Sequence, residues 1–458
     1  MSNRWWILLA MSAAISMIFI DVTVLPVALP TIHRELNLSD VGAQWVINAY
    51  TLLLTILLLG GGRLADLLGA RRIFCLGIIL FAGASACCGI GSQEWMLIAG
   101  RALQGVGGAM MLPASQTILA NSFPSHQRGK AMGIYVSIGS IFLAMGPLIG
   151  GAITQYWSWR GVFWINIPIA LVGLLLTMLI VPRSVQTKAR FDVSGLLALA
   201  IGISSIIVAL MQAQVWGWGD PLTVTLVCFG FLLIFLLFQI DREVPFPIVD
   251  LSIITHRSFF TGASCIFFSQ LSMVATVFWA IYFQDVLHFP PSYAGLLTFI
   301  ANAPVLLSAP FAGHLVDQLG PRKPVTFGYA LILFSLIWFI SFPTPSSIYF
   351  LLPSLIPFGI GVPMILTPSY VSLINDVPAE KRGIAAGLNM TQRQFAATLG
   401  LALMGTLFYP GRNDPLSNAT EGTLSAFRNV NLLAAGSCAL GLLIALFFLS
   451  NSPHASKK

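Results

Sequence analysis

Apolar residues in this chain come in long unbroken stretches set off by short polar connectors, without the strict alternation of barrel strands. A run of ~20 apolar residues is the length of a membrane-crossing helix, whereas a barrel strand needs only ~10. The pattern predicts fourteen helical spans, at 5–30, 43–62, 73–92, 95–117, 131–153, 162–182, 193–213, 222–240, 259–283, 292–312, 324–342, 348–370, 384–408 and 430–450.

Composition turns this reading from permissive to restrictive. Hydrophobic residues make up 57% of the 458 and charged ones 9%, against roughly a quarter charged in a soluble domain. That excludes a soluble enzyme, a nucleic-acid-binding protein and a disordered tail, and makes the lipid bilayer the chain's solvent. The six cysteines all lie inside apolar runs and show no metal-like grouping with His, so they read as small core residues; neither a disulfide nor a metal site is expected. The apolar run from Trp5 continues to about Pro30 with no convincing cleavage site, which predicts a retained first span.

The net charge of +7 suggests acidic partners until the cations are sorted by connector. With the N-terminus inside, seventeen of the 23 Lys and Arg fall in cytoplasmic connectors and tails, among them Arg71, Arg72, Lys188, Arg322 and Lys381. Four, Arg34, Arg160, Arg412 and Arg428, fall outside, and Arg101 and Arg393 lie within spans. The bias places both termini in the cytoplasm.

The connector after span 2 reads Gly62-Arg63-Leu64-Ala65-Asp66-Leu67-Leu68-Gly69-Ala70-Arg71-Arg72, and the one after span 10 reads Gly313-His314-Leu315-Val316-Asp317-Gln318-Leu319-Gly320-Pro321-Arg322-Lys323. Each has Asp four, Gly seven and a basic pair nine and ten residues after its first Gly, at an offset of 251 residues. Spans 1–6 thus match spans 9–14, with spans 7–8 inserted between. Two like-oriented six-helix halves are a transporter architecture.

The first of these loops resembles the signature loop of the major facilitator superfamily. Further motifs are similar to those of its fourteen-helix drug:proton antiporters. Asp21-Val22-Thr23-Val24-Leu25-Pro26-Val27-Ala28-Leu29-Pro30 resembles their first-helix motif, with Pro26 where Asn is usual. Gly100-Arg101-Ala102-Leu103-Gln104-Gly105 resembles the family's Arg-bearing helix. Gly146, Pro147, Gly150 and Gly151 resemble the antiporter motif, with Phe142 where export members add a middle Gly. The resemblance implies an all-α integral membrane protein of the major facilitator fold. Its parts would be an N-terminal half (1–182), two inserted helices with their connectors (183–258) and a C-terminal half (259–458). It also implies a proton-coupled antiporter in the bacterial inner membrane that exports amphipathic small molecules, acting as a monomer.

Individual residues give this expectation its chemistry. Nearly all the acids lie in connectors, and Asp21 is the clear exception. A charged carboxylate there is costly, so Asp21 is expected to carry the coupled proton. Helical rise puts it ~13 Å below the outer end of span 1 and Arg101 ~10 Å below the outer end of span 4, a candidate coupling pair at one level. Gly62, Asp66, Gly69, Arg71, Arg72, Asp317 and Arg322 are expected to form a conformational latch, with Gly62 and Gly69 allowing close approach and a tight turn. Gly146, Pro147, Gly150 and Gly151 should bend span 5 and admit a neighbouring helix. Gln270, Asn302, Asn389 and Arg393 are candidates for the substrate route. Trp45, Trp279, Tyr282 and Phe283 could line a pocket, although Trp and Tyr near span ends more often anchor the interface.

The same fold also serves uptake or efflux of one defined metabolite, because fold does not fix substrate. A polytopic membrane enzyme would need clustered catalytic groups, and His33, His126, His256, His288, His314 and His454 are scattered singly. No Gly-Lys-Ser or Gly-Lys-Thr phosphate loop occurs, so neither a nucleotide nor any other cofactor is expected.

Overall fold

The computed structural model describes residues 3–182, 193–240, 251–342, 348–375, 377, 382–412 and 419–449. Among these, every regular element is a helix, as lipid demands of backbone that must satisfy its own hydrogen bonds. The first six spans are α1 (Asn3–Leu36), α2 (Asp40–Leu68), α3 (Ala70–Ile90), α4 (Glu94–Ser122), α5 (Ser125–Tyr156) and the pair α6 (Gly161–Trp164) and α7 (Asn166–Ile180). Then come α8 (Val193–Trp216), α9 (Pro221–Ile240) and the short α10 (Leu251–Ile254). The last six spans are the pair α11 (Arg257–Met273) and α12 (Ala275–Asp285), then α13 (Pro291–Leu319), α14 (Arg322–Ser341), α15 (Leu352–Asn375), α16 (Arg382–Arg412) and α17 (Ala419–Phe448).

Each of the fourteen expected spans falls on helix, with 162–182 and 259–283 interrupted by single residues, Ile165 and Val274, and 348–370 opening on a 3-10 turn, Ile348–Phe350, before α15. Eleven helices among the described residues are long and apolar enough to cross a membrane, and Pro221–Leu237 is a shorter apolar one. The two remaining spans, α4 and α16, carry Arg101 and Gln104, and Asn389, Gln392 and Arg393, respectively. Charge inside a span is tolerated where it faces protein or water. Several helices continue through prolines, including α1 through Pro26 and Pro30 and α5 through Pro147, because neighbouring helices can satisfy the carbonyls a proline frees.

The chain forms two compact units, one of residues 1–208, 225–237 and 290–295, the other of residues 209–224, 238–289 and 296–458. In the first, α4 packs on α2 and α3, and α1 on α5 and α7. In the second, α15 packs on α14, and α11 on α16 and α17, which repeats the α4–α3, α1–α5 and α1–α7 pairings. The repeat extends to close backbone contacts. A Cβ on Gly77 would stand 2.9 Å from the Gly107 carbonyl oxygen, and one on Gly328 would stand 2.7 Å from that of Gly361. Glycines at these crossings let helix backbones touch.

Candidate functional site

Asp21, on α1, is buried at 4% exposure and Arg101, on α4, at 1%. The two side chains meet as an ion pair between Asp21 Oδ2 and Arg101 Nη1. The structure thus brings together the residues that helical rise had put at one depth. Gln104, one turn beyond Arg101, accepts from Arg101 Nη1 (2.8 Å) and donates through Nε2 to Asp21 Oδ1 (3.2 Å). Asn166, at the start of α7, donates through Nδ2 to the same Oδ1 (3.3 Å) and to Ser85 Oγ (3.1 Å). Ser85 donates in turn to the Phe163 carbonyl (2.8 Å). Arg101 is further fixed by its Nε donating to the Val46 carbonyl (3.1 Å) and by its guanidinium lying 4.4 Å from the Tyr50 ring centre. Side chains of α1, α4 and α7 therefore meet at one carboxylate, with α2 holding Arg101 and α3 holding Asn166.

Two polar atoms in this network, Tyr50 OH and Asn166 Oδ1, have no partner among the described residues. The sequence motifs include Gln104 without giving it a role, and assign none to Asn166, Tyr50 or Ser85. Gln104 was legible in principle, since a residue three after Arg101 shares its helix face. Asn166 and Tyr50 reach the site from other helices, and no local spacing marks them.

Close packing positions α4. A Cβ on Gly105 would lie 2.5 Å from the Tyr50 carbonyl oxygen and 3.0 Å from Leu53 Cβ, so Gly105→Leu must push α4 off α2 and carry Arg101 with it. We expect this substitution to cost ~1–3 kcal/mol or more, read as a lower thermal unfolding midpoint in detergent. Gly83→Ala, where a Cβ meets nothing within 4 Å, should leave that midpoint unchanged or higher; equal losses at both sites would remove the packing argument.

The antiporter-motif glycines of α5 face α1. A Cβ on Gly146 would collide with Thr23 Oγ1, and one on Gly150 would stand 2.9 Å from the Val24 carbonyl oxygen. A Cβ on Gly151 would collide with the Pro291 carbonyl oxygen, within the same unit. Pro147 sits in the unbroken α5 between them.

In the signature loops, Gly69 has φ +96° and Gly320 has φ +73°, a region that L side chains rarely adopt. The repeated spacing thus encodes a turn between consecutive helices. The first glycine of each loop carries no such demand: a Cβ on Gly62 would meet only Pro113 Cβ at 3.5 Å, and one on Gly313 nothing within 4 Å. Arg71 Nη2 donates to the Met178 carbonyl (2.7 Å) in the last turn of α7, a favourable place for a cation. Arg72 and Asp317 are exposed and Arg322 is half-buried. The Asp66 side chain lies outside the described residues.

In the second unit, Arg393 Nε donates to Gln270 Oε1 (3.1 Å), and Gln392 Nε2 donates to Asn389 Oδ1 (3.3 Å) and the Ala263 carbonyl (3.2 Å). Gln270, Asn389 and Arg393 thus share the α11–α16 seam, whereas Asn302 Nδ2 donates within α13 to the Thr298 carbonyl (2.8 Å). Trp279, Tyr282 and Phe283 are fully buried. Trp279 lies 4.9 Å from both Phe339 and Phe358, and its Nε1 donates to Asn431 Oδ1 (2.9 Å).

The repeat shows how unlike the units are at this level. At the offset of 251 set by Gly77 and Gly328, Asp21 corresponds to Ser272 and Cys88 to Phe339. At the offset of 254 set by Gly107 and Gly361, Arg101 corresponds to Leu355 and Gln104 to Phe358. Ser272 bonds only neutral groups, the Phe268 and Ala434 carbonyls and the Ser437 and Cys438 side chains. One unit holds an ion pair where the other packs hydroxyls and aromatic rings.

The family model of the Major Facilitator Superfamily matches residues 11–401 and 260–458. The chain is 30% identical over 411 residues to "Multidrug resistance protein Stp" of Mycobacterium tuberculosis (strain ATCC 25618 / H37Rv), covering 87% of this chain and 75% of that one. It is 34% identical over 418 residues to "Puromycin resistance protein pur8" of Streptomyces alboniger, covering 88% and 82%. "Riboflavin transporter RibZ" of Clostridioides difficile (strain 630) is 29% identical over 461 residues and covers 98% of both chains. Among solved structures, an auto-inhibited peptide transporter of the POT family superposes with a TM-score of 0.70 at 15% identity, over 100% of this chain and 99% of that one. A bacterial homologue of the lysosomal transporter Spinster in its inward-facing, occupied conformation gives 0.69 at 17%, over 98% of both. Sequence motifs, repeated helix pairing and these likenesses agree: the chain is a multi-pass membrane protein of the major facilitator superfamily, and it resembles members named for drug resistance.

Proposed function

We propose that this transporter exports amphipathic small molecules in exchange for protons, with Asp21 as the proton carrier and Arg101 as its partner. The observation behind this reading is the buried carboxylate that accepts from three donors, Arg101, Gln104 and Asn166. Among residues whose side chains are described, Asp21 is the only buried acid. In this arrangement each of its described side-chain contacts comes from a donor. A half-turn of the Asn166 amide would offer its unpartnered Oδ1 to a protonated Asp21, and withdrawal of Arg101 would release the charge. Proton loading and helix movement are thereby linked through residues of α1, α4 and α7.

On this reading the halves are 1–182 and 259–458 with 183–258 inserted, the loops at 62–72 and 313–323 latch one conformation, and the protein works in a bacterial inner membrane with both termini cytoplasmic. Cysteines introduced singly at positions 188 and 412 should respond oppositely to an impermeant thiol reagent added to intact cells, 412 labelling and 188 not. Labelling of 188 from outside would reverse the topology. The function itself is tested in proteoliposomes with an imposed pH gradient and a panel of amphipathic dyes and antibiotics: gradient-dependent movement of at least one is expected, and none moving would overturn the proposal.

A second reading, transport of one defined metabolite, is favoured by the full-length match to the riboflavin transporter. Including riboflavin in the panel decides between them: movement of riboflavin alone selects the metabolite reading.

A further inference from the structure

The two arginines inside spans are treated in opposite ways. Arg101 is buried, with a carboxylate, a carbonyl, an amide oxygen and an aromatic face around it. Arg393 is exposed, and Gln270 is its one hydrogen-bond partner among the described residues. That bond occupies the Nε–H and leaves the four N–H donors of the two terminal nitrogens unused. Helical rise along the unbroken α16 puts Arg393 ~16 Å from the Arg382 end, deep within the span. A guanidinium at that depth cannot face hydrocarbon cheaply, so its free edge faces water or a ligand.

The surroundings are built for an acceptor. Neither α11 nor α16 contains an Asp or Glu, so no carboxylate on this seam neutralises the charge. Gln270 holds the guanidinium at its Nε corner and so orients the terminal edge. Asn389, one turn back on the same face, accepts from Gln392 through Oδ1, which directs its Nδ2 donors away from Gln392. The result is a planar cationic fork with an amide donor a turn away.

We propose that Arg393, oriented by Gln270, recognises a single anionic group, a carboxylate or sulfonate, on an otherwise apolar small molecule. This rests on the export reading for its biological use, but the recognition itself needs no gradient. The guanidinium edge accepts two oxygens side by side, and such a bidentate, charge-assisted contact exceeds what a neutral amide can form there. An anionic lipid headgroup offers the same chemistry, and the experiment separates the two.

The test is equilibrium binding of 1-pyrenebutyrate and of its uncharged primary amide to the purified full-length protein in nanodiscs of phosphatidylcholine. The carboxylate is expected to bind about tenfold more tightly than the amide, the ratio one extra charge-assisted contact gives. Arg393→Gln should abolish that ratio while leaving the affinity for the amide unchanged, and Arg393→Lys should retain part of it. Equal weakening of both ligands would assign Arg393 a purely structural role, and an unchanged ratio in Arg393→Gln would put anion recognition elsewhere; either overturns the proposal. Nanodiscs containing phosphatidylglycerol form the second arm: loss of pyrenebutyrate binding there would make the site a lipid site, whereas undiminished binding supports the small-molecule assignment. Gly83→Ala, at a position where an added Cβ meets nothing within 4 Å, should leave all these affinities intact, and because binding is measured without a gradient, failure of anion recognition and failure of proton coupling are read independently.

Discussion

Asp21→Asn is expected to abolish pH-gradient-driven transport in proteoliposomes while leaving substrate exchange without a gradient measurable. Asn has nearly the shape of Asp and keeps an acceptor for Arg101, but it cannot bind or release a proton in the working range. The substitution also leaves the Arg101 charge buried without its counter-ion, and breaking a buried pair from one side costs ~3–5 kcal/mol. The thermal midpoint of Asp21→Asn should therefore fall, moderated by the contacts Arg101 keeps with the Val46 carbonyl, Gln104 and Tyr50. Arg101→Gln should fall too, because it strands the carboxylate. The double variant Asp21→Asn/Arg101→Gln is expected to unfold at a higher temperature than either single variant and to remain uncoupled, since no charge is left buried. Full gradient-driven transport by Asp21→Asn would place the proton site elsewhere. Additive destabilisation in the double variant would mean that the two charges do not depend on each other for burial.

That pair was legible in the sequence because its parts are rare there. An acid or an arginine stands out in a stretch of Ile, Leu and Ala, and helical rise converts its position into a depth. The helical fold was legible for the same reason, since uninterrupted apolar runs fix the helices, and the 251-residue offset recurs in the Gly77 and Gly328 crossings. What sequence did not disclose is what reaches the pair from other helices. Asn166 lies 145 positions from Asp21, and an amide beside Pro168 in an apolar stretch carries no mark of its target. Gly62 shows the converse error, since its repeated place in the loop suggested close packing, whereas the positive φ at Gly69 and Gly320 bears the steric demand. Trp279, Tyr282 and Phe283 illustrate a third gap. Their residue types fit an interface, a pocket or a core, and only the rings of Phe339, Phe358 and Phe427 around them decide for the core.

A doubly charged cation should be exported at least ~100-fold more slowly than its singly charged counterpart. Moving a cation through the apolar interior requires compensating carboxylates, because an uncompensated charge costs several kcal/mol, and each 1.36 kcal/mol is a factor of ten in rate. The described helices offer Asp21 alone as a buried acid. α16 contains no acid, Asp317 of α13 is exposed near that helix's end, and Asp285 stands half-buried at the end of α12. Once its proton leaves, Asp21 can balance one positive charge, which keeps monocations within reach and makes their exchange for a proton electroneutral. Among the described residues no second buried acid is available to balance a second charge. Ethidium and propidium supply the comparison, since they share an aromatic core and differ by one quaternary ammonium. Vesicles containing the protein should move propidium no faster than empty ones do under the same pH gradient, whatever they do with ethidium. Propidium efflux at a rate within tenfold of ethidium efflux would require a second membrane-embedded acid and would overturn the assignment of Asp21 as the one carboxylate that substrate and proton share.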